Sequence, residues 1–323
     1  MSKENILSMI SKMSEEELID LACNTPDVEI LNILAENANY EVRCKVAENM
    51  NTPVELLAVL ARDEDYSVRW AVAENRSTSA DVLAVLAKDE VYGVRTVIAA
   101  NENTSADVLA MLASDKCWWV RHNVANNKNT TAKVLAMLVK DKNKYVREIV
   151  AWNENTPNEL LSVLAKDDEW CVRVSVAKNI NTSAEVLAML ATDEDYHVRE
   201  AVAENNNTPI ESLVKLASDE EYHVRAYVAL NEKTPINTLA ILAKDVDIDV
   251  RNAVAESRNT SADTLAVLAK DEDSYVRKAV AENKNTSVET LVMLSKDKEL
   301  CVSENAKKAL KERKEKNKTS MER

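Results

Sequence analysis

Cysteine and histidine recur at one position of this chain, and their spacing is the first candidate for chemistry. Cys171, His197 and His223 are separated by 26 residues each, and thiolate and imidazole are preferred zinc ligands. Helices in successive layers lie about 8–10 Å apart, whereas zinc–ligand bonds are about 2 Å long. The three side chains therefore cannot share one ion, although a neighbouring pair could. Cys117 and His122 do not fall on one helical face, so we expect no metal site.

An acid–base pair is the second candidate. His122 and Glu148 are 26 residues apart, so they could approach each other in adjacent repeats, as general acid–base catalysis requires. No nucleophile–base signature accompanies them. Gly93 is the only glycine, which excludes a phosphate-binding loop or a dinucleotide fingerprint. We expect a protein that is not an enzyme and holds no cofactor.

Aromatic residues are the third candidate, because the chain has five Trp, eight Tyr and no Phe. The rings occupy a few recurring positions, while the periodic apolar positions are Leu, Val, Ala and Ile. Aromatic rings usually dominate cores, and Tyr and Trp are enriched in binding hot spots. The predicted binding residues are Trp70, Tyr92, Gly93, Thr96, Trp118, Trp119, His122, Asn123, Tyr145, Glu148, Trp152, Trp170, His197, His223 and Tyr227.

A strict 26-residue repeat positions these residues. It is marked by Arg43, Arg69, Arg95, Arg121, Arg147, Arg173, Arg199, Arg225, Arg251 and Arg277. Six residues before nearly every arginine there is an aspartate, from Asp63 onwards; Asn37 replaces it in the first repeat. A period of this length indicates a solenoid, in which each repeat buries its apolar face against its neighbours. We predict one elongated domain over residues 24–302.

The two ends differ from the repeats. Residues 1–23 are predicted to form an N-terminal capping helix, with Ser14 and Glu17 as a capping box. Residues 303–323 are Lys/Glu-rich and poor in apolar residues. They are predicted to form a C-terminal capping helix that runs into a charged tail.

Within residues 51–76, the first helix is predicted to run to about Ala61. Thr52 would cap it, Pro53 would occupy its first position, and Glu55 would complete a capping box. Leu56 and its apolar neighbours would face inward.

The second helix is predicted from about Glu64 to Glu74, with Asp63 as its cap. Asn75 would end it in the left-handed conformation, a place where many proteins use Gly. No strand pattern occurs anywhere in the chain. The fold class is therefore predicted to be all-α, a superhelical solenoid of about eleven helix-turn-helix repeats.

One face of the second helix varies from repeat to repeat. Comparison of the repeats shows variable positions equivalent to Tyr66, Ser67, Trp70, Ala71 and Glu74. At about 100° per residue these five positions share one face, opposite the constant valines. We predict that this face is exposed and continues from repeat to repeat.

The third repeat has small residues on this face, where Gly93 and Thr96 are followed by Val97 and Ala100. A helical glycine costs about 1 kcal/mol relative to Ala. With Trp70 on one side and Trp118 and Trp119 on the other, these residues predict a slot for a flat ring or an inserted side chain.

The repeat pattern resembles a known architecture. The run Leu60-Ala61-x-Asp63-x-x-x-Val68-Arg69-x-x-Val72-Ala73 resembles HEAT-like solenoids, and the Asn-x-Asn-Thr-Pro turn resembles the bacterial leucine-rich repeat variant proteins. The resemblance covers residues 24–302. The chain differs from the leucine-rich repeat variant proteins in its longer repeat and in lacking an N-terminal cysteine cluster. The resemblance therefore implies no iron–sulfur domain.

The resemblance carries three implications. The second helices would line the concave side of the stack. The residues equivalent to Asp63 and Arg69 would form a ladder of hydrogen-bonded ion pairs between successive repeats. The protein would be a binding scaffold, although a fold alone does not fix a function.

Charge narrows the choice of partner. The net charge is -14, and the variable positions hold four Lys, no Arg and nine acids. Duplex nucleic acid needs many phosphate contacts, so it is excluded. No run of 18 apolar residues is present, so we expect no membrane partner and a cytoplasmic location.

Two functions remain open. The first is a scaffold that captures a protein or peptide in the concave groove. The alternative is a receptor for a small aromatic or nucleotide-like molecule in the slot around Gly93, Trp118 and Trp119.

Overall fold

The computed structural model describes residues 3–321, with side chains described over 3–315. Over that range the chain forms 24 α-helices and no strand, which confirms the all-α repeat prediction. The first helices of the repeats and the N-terminal helix are α1 Lys3–Ile10, α3 Val28–Leu34, α5 Val54–Leu60, α7 Ala80–Leu86, α9 Ala106–Leu112, α11 Ala132–Leu138, α13 Asn158–Leu164, α15 Ala184–Leu190, α17 Ile210–Leu216, α19 Ile236–Leu242, α21 Ala262–Leu268 and α23 Val288–Leu294. The second helices are α2 Glu15–Asn24, α4 Tyr40–Glu48, α6 Tyr66–Glu74, α8 Tyr92–Ala100, α10 Trp118–Asn126, α12 Lys144–Trp152, α14 Trp170–Lys178, α16 Tyr196–Glu204, α18 Tyr222–Leu230, α20 Ile248–Glu256, α22 Ser274–Glu282 and α24 Leu300–Met321.

The chain divides into two compact halves, Met1–Leu160 and Leu161–Arg323. In each half, successive second helices pack side by side, as α4 does with α6 and α16 with α18. Among the side chains described, every large buried apolar residue is aliphatic. Aliphatic residues therefore form the core of each half and leave the rings elsewhere.

The start of the first helix differs from the prediction at Thr52. Its hydroxyl donates to the Val46 carbonyl at 2.5 Å and does not cap α5. The N-cap is Pro53, and no side chain caps this helix end. Thr52 is 2 % exposed, so its hydroxyl needs this internal acceptor. The predicted role of Thr52 and its capping box is therefore wrong.

The cap of the second helix is Asp65, two residues after the predicted Asp63. An Asp65 carboxylate oxygen accepts from the Ser67 N–H at 2.7 Å. Asp63 instead accepts from the Asp65 N–H at 2.9 Å and from an arginine of the preceding repeat. The prediction erred because Asp63 is engaged by a residue distant in sequence.

Asn75 does not adopt the predicted left-handed conformation. Its φ is −64° and its ψ is 123°, and no residue of the described range has a positive φ. Its side-chain amide donates to the carbonyls of Ala47, at 2.7 Å, and Asn49, at 3.2 Å. Asn75 thus joins its repeat to the preceding one by hydrogen bonds that glycine could not make.

The predicted ladder of ion pairs is present. Within each half, arginines pair with the aspartate twenty residues later, in the next repeat, with Nε–Oδ2 distances of 2.5–2.8 Å. The pairs in the first half are Arg43–Asp63, Arg69–Asp89, Arg95–Asp115 and Arg121–Asp141. Those in the second half are Arg173–Asp193, Arg199–Asp219, Arg225–Asp245, Arg251–Asp271 and Arg277–Asp297.

The chain ends depart in part from the predicted boundaries. The capping box of Ser14 and Glu17 is present, but it begins α2, the second of two helices in the segment predicted as one. At the other end, α24 begins before residue 303, at Leu300, and Arg313 donates to the carbonyls of Lys284 and Thr286. Residues 1, 2, 322 and 323 lie outside the described range, and the capping roles of both ends stay predictions.

Candidate partner-binding face

The candidate face consists of five positions on each second helix. We name them the first to fifth slots, which in α6 hold Tyr66, Ser67, Trp70, Ala71 and Glu74. The first and fifth are exposed in α6, and the second and third are half-buried. Ala71 is 1 % exposed, so its predicted place on the exposed face is wrong.

The fourth slot is buried in several other repeats as well. Ser175, Ala201, Ala253 and Ala279 are all buried there. All of these residues lie on second helices, which pack side by side within each half. The exposed face is therefore narrower than the helical period alone predicts.

A stack of three rings lies in the first half. The centroids of Trp118 and Trp119 are 4.1 Å apart, and those of Trp118 and Tyr145 are 5.7 Å apart. The Nζ atom of Lys144 lies 5.7 Å from the Tyr145 centroid. Trp119 is 49 % exposed. The structure therefore brings three of the predicted residues into one partly exposed stack.

His122 lies at the edge of this stack, with its ring 6.3 Å from Trp118 and 5.6 Å from Trp119. Burial lowers the pKa of His122, so the imidazole is neutral at pH 7. Its Nδ1 atom is buried and lacks a hydrogen-bond partner among the described residues. Among those residues, no hydrogen bond joins His122 to Glu148. The acid–base pair considered from sequence is thus not assembled in this structure.

The second half has its own ring contacts. The His197 ring stacks on Trp170 and on Tyr196, with ring centroids 4.9 and 3.9 Å apart. The ring centroids of Tyr222 and His223 are 3.9 Å apart. The Nδ1 atom of His197 is also 3.0 Å from an Asp195 carboxylate oxygen. Three of the predicted residues, Trp170, His197 and His223, therefore lie in ring pairs.

The other predicted residues are more separated. Trp152, in the fifth slot of α12, is 56 % exposed. Trp70 and Tyr227 are half-buried. The side chain of Asn123 donates to the Trp119 carbonyl at 2.9 Å, and Thr96 donates to the Tyr92 carbonyl at 2.8 Å. Both polar side chains thus bond to their own helices.

A cavity of about 370 Å³ lies beside the small residues of α8. Val97 and Ala100 line it, together with Glu74, Arg76 and Glu102. These residues come from the C-terminal parts of α6 and α8 and the turn after each, whereas Gly93 belongs to the first turn of α8. The slot predicted between Trp70 and Trp118 remains a prediction.

Other kinds of site find little support. Within the described residues no group of three or more His, Cys, Asp or Glu side chains could hold a metal ion. Over the same residues, no helix has both the length and the apolar content needed to cross a bilayer. Burial, with the nearby Glu48, raises the pKa of the Cys44 thiol to about 11, which keeps that thiol protonated and unreactive at neutral pH.

Fold and repeats together define an all-α solenoid. Residues 40–65 and 196–221 match the family model described as leucine rich repeat variant. A solved leucine-rich repeat variant with a novel repetitive structural motif is 27 % identical, with a TM-score of 0.53 over 69 % of this chain and 88 % of that one. The predicted resemblance to leucine-rich repeat variant proteins is thereby confirmed.

More distant solved structures also align. Kap95p, in its complex with RanGDP, is 11 % identical with a TM-score of 0.42, over 95 % of this chain and 52 % of that one. An engineered protein is 18 % identical with a TM-score of 0.28, over 96 % and 98 %. No curated protein sequence matches the chain.

Proposed function

We propose that the chain is a non-catalytic binding protein that captures a segment of another protein on the ring-bearing face of its second helices. The observation that carries the proposal is the exposure of rings outside an aliphatic core. Trp119 and Trp152 in the first half are about half exposed, as is Trp170 in the second. Apolar area left in water is a source of binding free energy when a partner covers it.

The character of the exposed residues supports a protein partner. Indole and phenol rings bury large areas, and each has a polar group that can bond to a peptide backbone. The stacking of Trp118 on Trp119 and Tyr145 restricts their rotamers before binding. Preordered side chains lose less entropy on association. The set therefore resembles a binding hot spot more than scattered surface rings.

Selection of displayed random 12-residue peptides on the full-length chain tests this function. We expect selected peptides to lose at least tenfold in affinity with Trp119→Ala or Trp152→Ala, as hot-spot truncation does. The matched control is Val59→Ser, which changes an exposed apolar residue on a first helix. Peptides that are insensitive to both Trp variants but weakened by Val59→Ser would place binding on the other face and contradict the proposal.

A small aromatic or nucleotide-like ligand is the second candidate, and the cavity beside Val97 and Ala100 favours it. Its volume of about 370 Å³ falls within the range of small-molecule sites. Native mass spectrometry and the absorbance at 260 nm of the purified protein test this function. A bound molecule that Ala100→Leu, a change in the cavity lining, expels and Trp152→Ala retains would support it, while a protein that purifies without any ligand would count against it.

A further inference from the structure

The rings of both halves follow one order. A second-slot ring stacks on the first-slot ring of its own helix, as Trp119 does on Trp118 and His197 on Tyr196. A second-slot ring also stacks on the first-slot ring of the preceding second helix, as Tyr145 does on Trp118. His197 makes both contacts, with Trp170 at 4.9 Å and Tyr196 at 3.9 Å. A second-slot residue therefore lies between two first-slot residues.

Gly93 occupies the second slot of α8, so this order places it between Tyr66 and Tyr92. Apart from its chain neighbours and the backbone of its own helix, a Cβ atom built on Gly93 would meet only the Val91 side chain within 4 Å, at 3.8 Å. Tyr66 and Tyr92 are 54 % and 57 % exposed. The position that a ring fills in α10, α12 and α16 is thus open in α8, with a tyrosine on either side.

The backbone does not explain the glycine. Gly93 lacks a positive φ, and the nearest contact of an added Cβ would be an ordinary van der Waals distance. Glycine inside a helix costs about 1 kcal/mol relative to Ala. Neither the conformation nor the packing of the chain therefore requires glycine at this position.

Charge favours a cation in this place. The slots of α6 and α8 hold one acid, Glu74, and no Lys or Arg. The turns before these helices add Glu64, Asp65 and Glu90, against the exposed Arg62 and Lys88. The N-terminus of α8 contributes the equivalent of about half a positive charge, which is less than this excess of full negative charges. The chain as a whole carries a net charge of -14.

We propose that the open position above Gly93 binds the guanidinium group of an arginine in the captured segment, between Tyr66 and Tyr92. A guanidinium group is planar and always charged, and it stacks on aromatic faces. It therefore fits between two rings and also complements the negative charge around the position. The lysine ammonium matches the charge but is not flat. This inference rests on the proposed capture of a protein segment.

Three acetylated and amidated hexapeptides, of arginine, lysine and citrulline, test the proposal by calorimetric titration against the full-length chain. We expect the arginine peptide to bind about tenfold tighter than the lysine peptide, through the cation–π contacts that a planar cation makes. The citrulline peptide, planar but uncharged, should bind more weakly still. Equal affinity for arginine and lysine, or tighter binding of citrulline, would overturn the proposal.

Variants locate the effect on the chain. Gly93→Leu should fill the position and remove the preference for arginine over lysine. Ser67→Leu, the same slot one repeat earlier, is the matched control and should keep it. Gly93→Ala checks that substitution at this site preserves the fold, measured by thermal unfolding. Retention of the arginine preference in Gly93→Leu would overturn the assigned site.

The arginine site and the capture of a protein segment can be refuted by different results. Displayed peptides that need Trp152 and Trp119 but contain no arginine would uphold capture of a segment and refute the arginine site. An arginine preference that Gly93→Leu removes, without any displayed peptide that depends on the tryptophans, would refute segment capture through the tryptophans and leave only arginine binding at Gly93.

Discussion

Arg43 joins two successive repeats through a two-pronged ion pair with Asp63. Its Nε atom lies 2.6 Å from Oδ2 and its Nη2 atom 2.9 Å from Oδ1. The remaining nitrogen, Nη1, donates to the carbonyls of Asn37 and Ala38 at 2.8 and 3.1 Å. One guanidinium group therefore holds its own turn and the next repeat at the same time, which explains why arginine recurs in ten successive repeats, from Arg43 to Arg277.

Removing one member of this pair should be costly. Asp63→Asn leaves Arg43 with an uncompensated charge where both side chains are about nine-tenths buried. We expect a loss of about 3 kcal/mol in the free energy of unfolding, measured in urea. Glu64→Gln is the control, because Glu64 is 92 % exposed and 3.9 Å from the same arginine. Similar losses in both variants would contradict this account of the ladder.

Acid should weaken the protein through the same carboxylates. Burial raises the pKa of Asp63, Asp89 and Asp115, but hydrogen bonds from their arginines and from backbone N–H groups outweigh it and hold each pKa below the ordinary 3.8. A depressed carboxyl pKa contributes stability that is fully present well above the unfolded value and is lost as the pH falls through the folded value. We expect the unfolding free energy, followed from pH 7 to 2, to fall steeply only below about pH 4. A shallower fall is expected in Asp63→Asn, and an unchanged slope would argue against the assignment.

Asn75 offers a test of what ends the second helix. If its side-chain amide is what matters, Asn75→Gly should destabilise the protein by about 1–3 kcal/mol, because buried carbonyls lose their donors. A residue in the left-handed conformation would instead tolerate glycine well. Asn103→Ala is the milder comparison, since the exposed Asn103 donates at 2.8 and 3.2 Å to the carbonyls of Arg76 and Thr78. Chemical denaturation of the two variants and the unsubstituted chain measures the free energies of unfolding. An unchanged free energy in Asn75→Gly would support the left-handed interpretation instead.

Gly93→Ala should stabilise the chain. The new methyl group meets one atom at 3.8 Å, and the gain in helix propensity is about 0.5–1 kcal/mol. Ser67→Gly, at the equivalent position of α6, should change stability in the opposite direction. Thermal unfolding of both variants measures the pair. Destabilisation by Gly93→Ala would show that the position is not open.

The sequence was sufficient for the features that repeat locally. The 26-residue period and the helix pairs follow from recurring residue types, and the ladder of arginine and aspartate follows from the resemblance that those residues carry. The cap was mistaken because Asp63 and Asp65 are both suitable acceptors near the helix start. Only a contact with Arg43, twenty residues earlier, decides between them.

The candidate face was predicted in outline only. The helical period placed Ala71 with Trp70 on the exposed side, but Ala71 is 1 % exposed in the fold. The order of the stacked rings was also missed, although the alternation of Trp118 with Tyr145 and Trp170 with His197 between first and second slots was visible in the repeats. The helical period describes the faces of one helix, whereas the stacking of rings depends on how two helices pack against each other.

The bonds of Arg313 bear on how the number of repeats can change. An asparagine such as Asn285 donates to carbonyls of the preceding repeat. Arg313 makes the corresponding bonds to Lys284 and Thr286, one repeat later, where Lys311 stands in place of the asparagine. Both donors are thus matched to acceptors in the preceding repeat, at equivalent positions of the period. Duplication or deletion of a whole period within either half would orphan none of these groups, provided that the segment carrying Arg313 still came last.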